Sequence, residues 1–268
     1  MQRYICTACG TQYEATASPP LECRICSDDR QYVPRGGQNW TTHRDLLQGH
    51  TIKWGDDDGV LAFSMVPGFA IDQRVILAES KCGNVLWESL SIVTDDAVAE
   101  INRRGGALMI AVSHPHFYTS MAEWSEALGN IPVLLHAEDR DWVSRKAPTI
   151  EFWSGDRLNI NSDLTLLHFP GHFAGSTVLH SGCAAGGGGA LMLGDSIQVA
   201  MDRQQASVMH SYPNAVPVGP EVLRGILRRL DCVQFENAYG YAWGRNIIGG
   251  AKEAILNSLR RFLHAVSV

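Results

Sequence analysis

The stretch "VSHPHFYTS", residues 112–120, places His114 and His116 one residue apart directly after the apolar run "ALMIAV". That run has the length and composition of a buried β-strand. Ser120, followed three residues later by Glu123, has the spacing of a capping box and predicts the start of a helix. The two histidines therefore fall in a strand-to-helix loop, where functional side chains are commonly carried on a rigid scaffold.

Other segments repeat this alternation of strand and polar loop. The runs "VLAFSMV", "FAIDQRVILAES" and "NVLWESLSIV" read as strands, and "KCGN" between the last two predicts a hairpin. A helix capped by Thr94 or Asp95 and ended by Gly105 is expected next. Further along, "LTLLHFPGHFAGSTVLH" predicts two strands with His172 at the centre of their loop. In "CAAGGGGALMLGDSI", Asp195 ends a strand.

The N-terminus carries four cysteines in the pattern C-x2-C-x13-C-x2-C, namely Cys6, Cys9, Cys23 and Cys26. Two matched pairs can direct four thiolates to one ion, which suits a structural zinc, although iron accepts the same geometry. The alternative is four buried thiols without a metal. The segment has too few apolar side chains to fold without such a cross-link. It resembles a rubredoxin-like zinc ribbon.

Three motifs in order carry a second resemblance: H-x-H after a strand, then G-H-x-x-G-S, then G-D after a strand. They resemble the metallo-β-lactamase superfamily over about residues 50–268. The resemblance implies an α+β fold, an αββα sandwich of two sheets with helices outside and a metal site at one edge. We expect a ribbon over residues 1–35 and the sandwich domain over residues 36–268.

The resemblance also implies which metal ligands are kept. His114, His116, His172 and Asp195 match superfamily ligands. In the first loop, the superfamily's aspartate and third histidine are replaced. Near the C-terminus, where a final histidine is expected, the sequence reads "YGYAWGR". The replacing residues are Tyr118, Thr119, and Tyr241 or Trp243. Three imidazoles and one carboxylate suit a single zinc or iron ion, so the resemblance implies a mononuclear site.

Each candidate has an ordinary structural alternative. His114 and His116 could cap the following helix or bond backbone groups, and Asp195 could close a turn. Tyr118 is a candidate catalytic group beside Asp195, because a phenol near a cation can act as an acid, but it could equally be a packed aromatic residue. Thr119 reads as a residue at the start of the helix.

The remaining histidines and cysteines carry weaker signals. His136 suggests a structural role, and His168 or His180 could orient a ligand imidazole or be an ordinary buried histidine. The loop "HSYPNAVPVGP" could line a substrate entrance or merely connect elements. We expect the isolated cysteines to be buried and without function; they are Cys82, Cys183 and Cys232.

Composition narrows the class of protein. The net charge of −6 arises from interspersed acids and bases, which argues against nucleic-acid binding. The start of the sequence lacks the apolar core of a signal peptide, and the apolar runs are too short to cross a bilayer. We therefore expect a cytoplasmic protein that uses a small-molecule substrate and binds neither nucleic acid nor membrane. A homo-oligomer is compatible with the sequence.

Three functions compete. The first is a metal-dependent hydrolase of a small ester, lactone, thioester or amide, with the metal acidifying a water molecule. The second is a redox protein, because the superfamily's scaffold also occurs in flavodiiron reductases and an iron-loaded ribbon carries electrons. The third is a non-catalytic binding or scaffold protein on a degenerate fold. The sequence does not select the substrate.

Overall fold

The computed structural model describes residues 1–267. The N-terminal sheet is formed by strands β1 (Gln2–Cys6), β2 (Gln12–Thr16) and β3 (Trp40–Thr42). It is antiparallel, in the order β2-β1-β3. Because β3 lies beyond residue 35, the chain returns to the ribbon sheet before it enters the larger domain. The division at residues 35 and 36 stays a prediction.

The strands that follow build a seven-stranded sheet. They are β4 (Thr51–Asp56), β5 (Leu61–Val66), β6 (Val75–Ala78), β7 (Val85–Trp87), β8 (Met109–Ala111), β9 (Val133–His136) and β10 (Ile150–Trp153). Their order is β10-β9-β8-β7-β6-β5-β4. Strands β4 to β7 pair antiparallel and β7 to β10 pair parallel. The "KCGN" turn joins β6 to β7, as predicted.

The remaining strands lie in the second half of the chain. They are β11 (Arg157–Asn159), β12 (Leu164–His168), β13 (Thr177–Ser181), β14 (Ala190–Gly194), β15 (Gln198–Val199), β16 (Ala206–Ser207), β17 (Met209–Ser211), β18 (Val216–Pro217), β19 (Asn237–Gly240) and β20 (Asn246–Ile247). A six-stranded sheet has the order β11-β12-β13-β14-β19-β20, and β15-β16 and β17-β18 form short antiparallel pairs. Only β14 and β19 pair parallel within this described six-stranded sheet.

Helices cover the outer faces of the sheets. They are α1 (His43–Gly49), α2 (Asp95–Arg103), α3 (Met121–Ala127), α4 (Pro220–Asp231) and α5 (Ala251–Val266). Short 3₁₀ turns span Pro115–Phe117, Ala137–Trp142 and Ala185–Gly187.

Side-chain alternation along the strands produces the layers. On β14, Met192 points into the core between the two sheets, while Leu191 and Leu193 pack toward α4 and α5. On the other sheet, Trp87 fills the inter-sheet core, and Trp124 of α3 lies in the outer core. Burying side chains of this size stabilises the fold by about 1.5–3 kcal/mol each. The αββα sandwich expected from the sequence is confirmed.

Of the two residues predicted to cap helices, one caps its helix and the other does not. Thr94 caps α2, its hydroxyl accepting a hydrogen bond from the Ala97 amide at 3.3 Å. The capping box at Ser120 was wrong, because the Ser120 hydroxyl donates to the Ser91 carbonyl at 2.9 Å instead. Residues 118–120 separate the 3₁₀ segment from α3, and Ser120 has φ −104° and ψ 36° rather than the extended conformation of a capping residue.

The prediction of buried isolated cysteines was also wrong. Cys82 lies in a hairpin turn, Cys183 follows a strand, and Cys232 lies at a helix end. All three are exposed because these positions lie just beyond the apolar runs. Within residues 1–267, no helix has both the length and the apolarity needed to cross a bilayer.

Candidate metal centre

The first two histidines are fixed by the end of a parallel strand. After β8, residues 112 and 113 stay buried and the chain turns into the 3₁₀ segment Pro115–Phe117. Proline suits this first helical position because it needs no amide donor there. His114 and His116 are both buried, with ring centroids 5.1 Å apart. The Ser113 hydroxyl lies 2.7 Å from His114 Nδ1 and holds that ring.

The third histidine comes from the loop between β12 and β13. His172 Nδ1 lies 3.0 Å from the His210 carbonyl and 3.3 Å from the Met209 carbonyl. A carbonyl only accepts, so Nδ1 carries the proton and Nε2 presents its lone pair. That Nε2 lies 3.2 Å from His116 Nδ1. The two ring nitrogens are close enough to share either a proton or a cation.

The carboxylate comes from the end of β14. Asp195 Oδ2 lies 4.0 Å from His114 Nε2, and Gln198 donates to Asp195 Oδ1 at 2.9 Å. The structure thus brings together all four residues predicted for the sandwich site, with one donor atom from each within 4.8 Å of the others. Gly194 precedes the aspartate with φ +52°, and a Cβ there would lie 2.4 Å from Ser113 Oγ.

The donor set fits a metal ion. Among residues 1–267, the Nε2 atoms of His114 and His116 find no hydrogen-bond partner although they are buried. Burial lowers the pKa of both rings well below the usual value and that of His172 to about 4, and it raises the pKa of Asp195 to about 7. Neutral imidazoles with free lone pairs are what a divalent cation needs, and bound cations reverse such desolvation costs.

Two buried acids that the sequence did not single out support this cluster. Glu88 follows β7, which pairs with the histidine strand, and its carboxylate accepts from the Ser113 amide at 3.1 Å. Burial raises the pKa of Glu88 to about 8. Asp139 accepts from the Gly175 amide at 2.8 Å and so holds the loop of His172. The only sequence feature that could have pointed to Glu88 is its position directly after an apolar strand.

The four ribbon cysteines also converge. The Cys6 and Cys26 sulfurs are 3.4 Å apart, those of Cys9 and Cys23 are 3.5 Å apart, and all four lie within 4.8 Å of one another. Hydrogen bonding with Cys26 lowers the pKa of the Cys23 thiol. The arrangement fits a four-cysteine zinc ribbon and equally admits iron.

A cavity of about 380 Å³ opens over the histidine cluster. His116, His172 and Asp195 line one side. The ribbon also lines the cavity, through Ala8, which lies between two cysteines, and through residues 30–32. The cavity is therefore lined jointly by the ribbon and the sandwich.

Two aromatic residues from segments considered in the sequence line this cavity, and a third does not. Tyr212, in the proline-rich loop, and Tyr241, near the position of the superfamily's final histidine, both line it. The proline-rich loop therefore borders this cavity, and its role as a substrate entrance stays a prediction. Trp243 is 39% exposed and points to the surface.

The two positions that depart from the superfamily's first loop contact the ribbon or the core. The Thr119 carbonyl accepts from the Gln12 amide at 3.0 Å, and its hydroxyl lies 2.6 Å from Ser89 Oγ. Gly10 packs so closely that a Cβ there would lie 3.3 Å from Thr119 Cγ2. Tyr118 is buried in the core, and burial raises its pKa well above the usual value. Its catalytic role stays a prediction.

The remaining histidines form other contacts. His136 and His168 stack with ring centroids 4.0 Å apart, and His168 Nε2 lies 2.7 Å from the Ala174 carbonyl. Together with Glu138 they form a third group of nearby donors. His180 Nε2 lies 2.9 Å from the Gln234 carbonyl, away from the cluster.

Comparison with known proteins identifies a relative and a fold. The chain is 37% identical over 270 residues to the uncharacterized protein YmaE of Bacillus subtilis (strain 168), covering 100% of this chain and 98% of YmaE. No family profile matches the chain. The DIM-1 metallo-β-lactamase exposed to ceftazidime superposes with a TM-score of 0.55 at 12% identity, covering 81% of this chain and 96% of that chain.

A second solved structure has the same degree of similarity. The metal-soaked Flv1 flavodiiron core of Synechocystis sp. PCC6803 superposes with a TM-score of 0.55 at 11% identity, covering 81% of this chain and 62% of that chain. At these identities the likeness to both structures shows the fold and does not extend to activity.

Proposed function

The chain belongs to the same family as YmaE and has the metallo-β-lactamase fold, and from this premise we propose that it is a metal-dependent hydrolase with a mononuclear site. The proposed substrate is a small ester, lactone, thioester or amide. The observation that carries the proposal is the convergence of three buried imidazoles and one buried carboxylate, of which His116, His172 and Asp195 line an open cavity.

Each residue of the cluster has a proposed role. His114, His116, His172 and Asp195 would hold one zinc or iron ion, a donor set that suits either metal. When bound, such an ion would polarise a carbonyl and acidify a water molecule. The His210 carbonyl fixes the His172 tautomer, so that Nε2 faces the cluster. This type of outer hydrogen bond orients a ligand and strengthens it as a base.

Asp195 is proposed to have two roles, as a ligand and as a proton acceptor. Gln198 holds Oδ1 at 2.9 Å, which leaves Oδ2 facing His114 and free to take a proton from the attacking water. Tyr118→Phe tests the predicted catalytic role of the tyrosine in the same assay. The cavity volume of about 380 Å³ suits a small molecule.

The proposal is tested by metal content and turnover measured together. Wild type should hold two ions per chain, and His114→Ala/His116→Ala should hold one, because only the ribbon stays loaded. A screen of ester, lactone, thioester and amide substrates should then find one that wild type hydrolyses and the double variant does not. His180→Ala is the matched control, since that histidine lies away from the cluster.

Two outcomes would overturn this function. If wild type and the double variant both hold one ion, the chain is a binding or scaffold protein. If two ions are bound but no substrate of these four classes is turned over, hydrolysis is wrong while metal binding stands. The expected small-molecule substrate, and the absence of nucleic-acid or membrane partners, form part of the same proposal.

One observation favours a redox function as the second candidate. Ala8, between Cys6 and Cys9, lines the same cavity as His116 and His172, so an iron-loaded ribbon would stand beside the cluster. The visible spectrum of protein produced with iron and zinc both supplied separates the two functions. An iron–thiolate ribbon absorbs visible light and changes on reduction, whereas a zinc ribbon is colourless.

A further inference from the structure

The turn that follows the last ribbon cysteine reaches the loop of His172. Arg30 Nη1 donates to the His172 carbonyl at 3.2 Å. The two residues are 142 positions apart in the chain. The ribbon therefore binds the backbone of a candidate metal ligand directly, through a charged donor.

The Arg30 side chain is itself held in place. Asp28 accepts from Arg30 Nε at 2.5 Å and from Nη2 at 2.7 Å. The guanidinium lies 3.8 Å from the ring centroid of Phe173, the residue after His172, and 5.2 Å from that of Trp142. A bidentate ion pair and two aromatic rings leave the guanidinium little freedom.

The same turn also binds the second loop that orients His172. The Asp29 carbonyl accepts from Ser211 Oγ and from Asn214 Nδ2, each at 2.7 Å. His210 Nε2 lies 3.4 Å from Asp29 Oδ1, and the His210 carbonyl contacts His172 Nδ1. Residues 28–30 thus join the loop that carries His172 to the loop that fixes its tautomer.

The ribbon cluster determines where this turn lies. Asp28 is two residues after Cys26, and its amide donates to the Ile25 carbonyl within the second cysteine pair at 3.3 Å. The Ser27 amide likewise donates to the Cys23 carbonyl at 3.0 Å. Any ion that fixes the four sulfurs therefore also fixes residues 27–30. A segment with so small a core depends on such an ion to stay folded.

We propose that the ribbon is an assembly element for the histidine cluster: metal in the four-cysteine site is required for high-affinity metal binding at His114, His116, His172 and Asp195, with Arg30 as the positioning residue. This rests on the proposed function only insofar as both need the cluster to bind a metal. The ribbon then acts neither as an electron carrier nor as an independent module, but as the part that completes the second site.

The test measures Co²⁺ binding to full-length protein whose ribbon is loaded with Zn²⁺. A Co²⁺ ion at nitrogen and oxygen ligands gives visible bands without the thiolate charge-transfer band of a cobalt-loaded ribbon, so the two sites are distinguished. Arg30→Met should weaken Co²⁺ affinity at the cluster by about 10-fold or more, the range for lost outer contacts to a ligand. Arg30→Lys, which keeps a charged donor, should lose less.

Arg24→Met is the matched control. Arg24 belongs to the same ribbon and lies 5.0 Å from the Trp142 ring, but it bonds the Asp141 carbonyl rather than His172. It should leave Co²⁺ affinity unchanged. Ser211→Ala, made on the sandwich side of the turn, should weaken binding in the same direction as Arg30→Met. Cys23→Ser/Cys26→Ser, which removes the ribbon metal, should produce the largest loss.

The outcomes separate this proposal from the proposed function. If wild type binds Co²⁺ at the cluster and Arg30→Met matches Arg24→Met while retaining its ribbon zinc, the coupling is wrong and the hydrolase proposal stands. Unchanged affinity in the double cysteine variant would refute the coupling equally. If wild type itself binds no Co²⁺ at the cluster, both proposals are overturned.

Discussion

Gly194→Ala should damage stability and metal binding together, because this glycine is needed for two independent reasons. Its φ of +52° lies in the left-handed region, which costs alanine about 1–2 kcal/mol. The added Cβ would also lie 2.4 Å from Ser113 Oγ and 2.9 Å from Glu88 Oε1. Relieving such overpacking in a dense core costs about 1–3 kcal/mol more. The total expected loss is about 2–5 kcal/mol in the free energy of unfolding.

The same clash should reach the metal centre. The atom displaced first is Ser113 Oγ, which holds His114 Nδ1, and Asp195 is the next residue in the chain. Urea denaturation gives the stability change, and Co²⁺ titration of the zinc-ribbon protein gives the affinity change, expected to be about 10-fold or more. Gly186→Ala is the control, because Gly186 has φ +65° with open space around it and so reports the conformational cost alone.

The comparison can contradict this reasoning in two ways. Equal losses of unfolding free energy in Gly194→Ala and Gly186→Ala would show that the close contacts around Gly194 carry no cost. A large stability loss with unchanged Co²⁺ affinity would show that Ser113 does not position His114. Either result would remove the structural argument for a packed shell around the cluster.

Further predictions concern stability, pH and thiols. Asp57→Ala leaves the buried Arg74 guanidinium without its partner and should cost about 3–5 kcal/mol by urea denaturation; a loss below about 1 kcal/mol would contradict this. Burial raises the folded-state pKa of Glu88 to about 8 from the usual value of 4.5, so its stabilising contribution is present below pH 4.5 and is lost as pH rises to about 8. Glu88→Gln should therefore gain stability relative to wild type across that interval in a denaturation series, and a constant difference would refute the assignment. A thiol reagent should quickly label the three exposed cysteines of the native protein, Cys82, Cys183 and Cys232. It should label the four ribbon cysteines only after a chelator is added.

Sequence reasoning located the parts of the site that are local in the chain. H-x-H, G-H and G-D each place a candidate ligand beside the strand that carries it, so His114, His172 and Asp195 could be proposed from a few neighbouring residues. The strand alternation and the Thr94 cap are equally local, which is why individual strands and α2 followed from patterning. The αββα sandwich was implied by the resemblance of the three motifs to the metallo-β-lactamase superfamily.

The supporting residues could not be found in the same way, because their partners are distant in the chain. Glu88 bonds a residue 25 positions away, Asp139 one 36 positions away, and Arg30 one 142 positions away. Each is an ordinary charged residue in the sequence until the fold brings it to its partner. The capping box at Ser120 failed for a related reason, since the hydroxyl found a carbonyl 29 residues distant.

The contact between the ribbon and Thr119 also limits how this protein could be re-engineered. Replacing Tyr118 and Thr119 with aspartate and histidine would restore the superfamily's motif on paper. The Gln12 amide, however, occupies the Thr119 carbonyl, and Gly10 stands against its side chain. An imidazole at position 119 needs more room than the threonine side chain, so we expect it to press on the ribbon, which lines the cavity through Ala8 and Arg30. The position where the superfamily carries its third loop histidine is here a contact between the ribbon and the sandwich, so restoring that residue would act on the joint between two parts of the molecule.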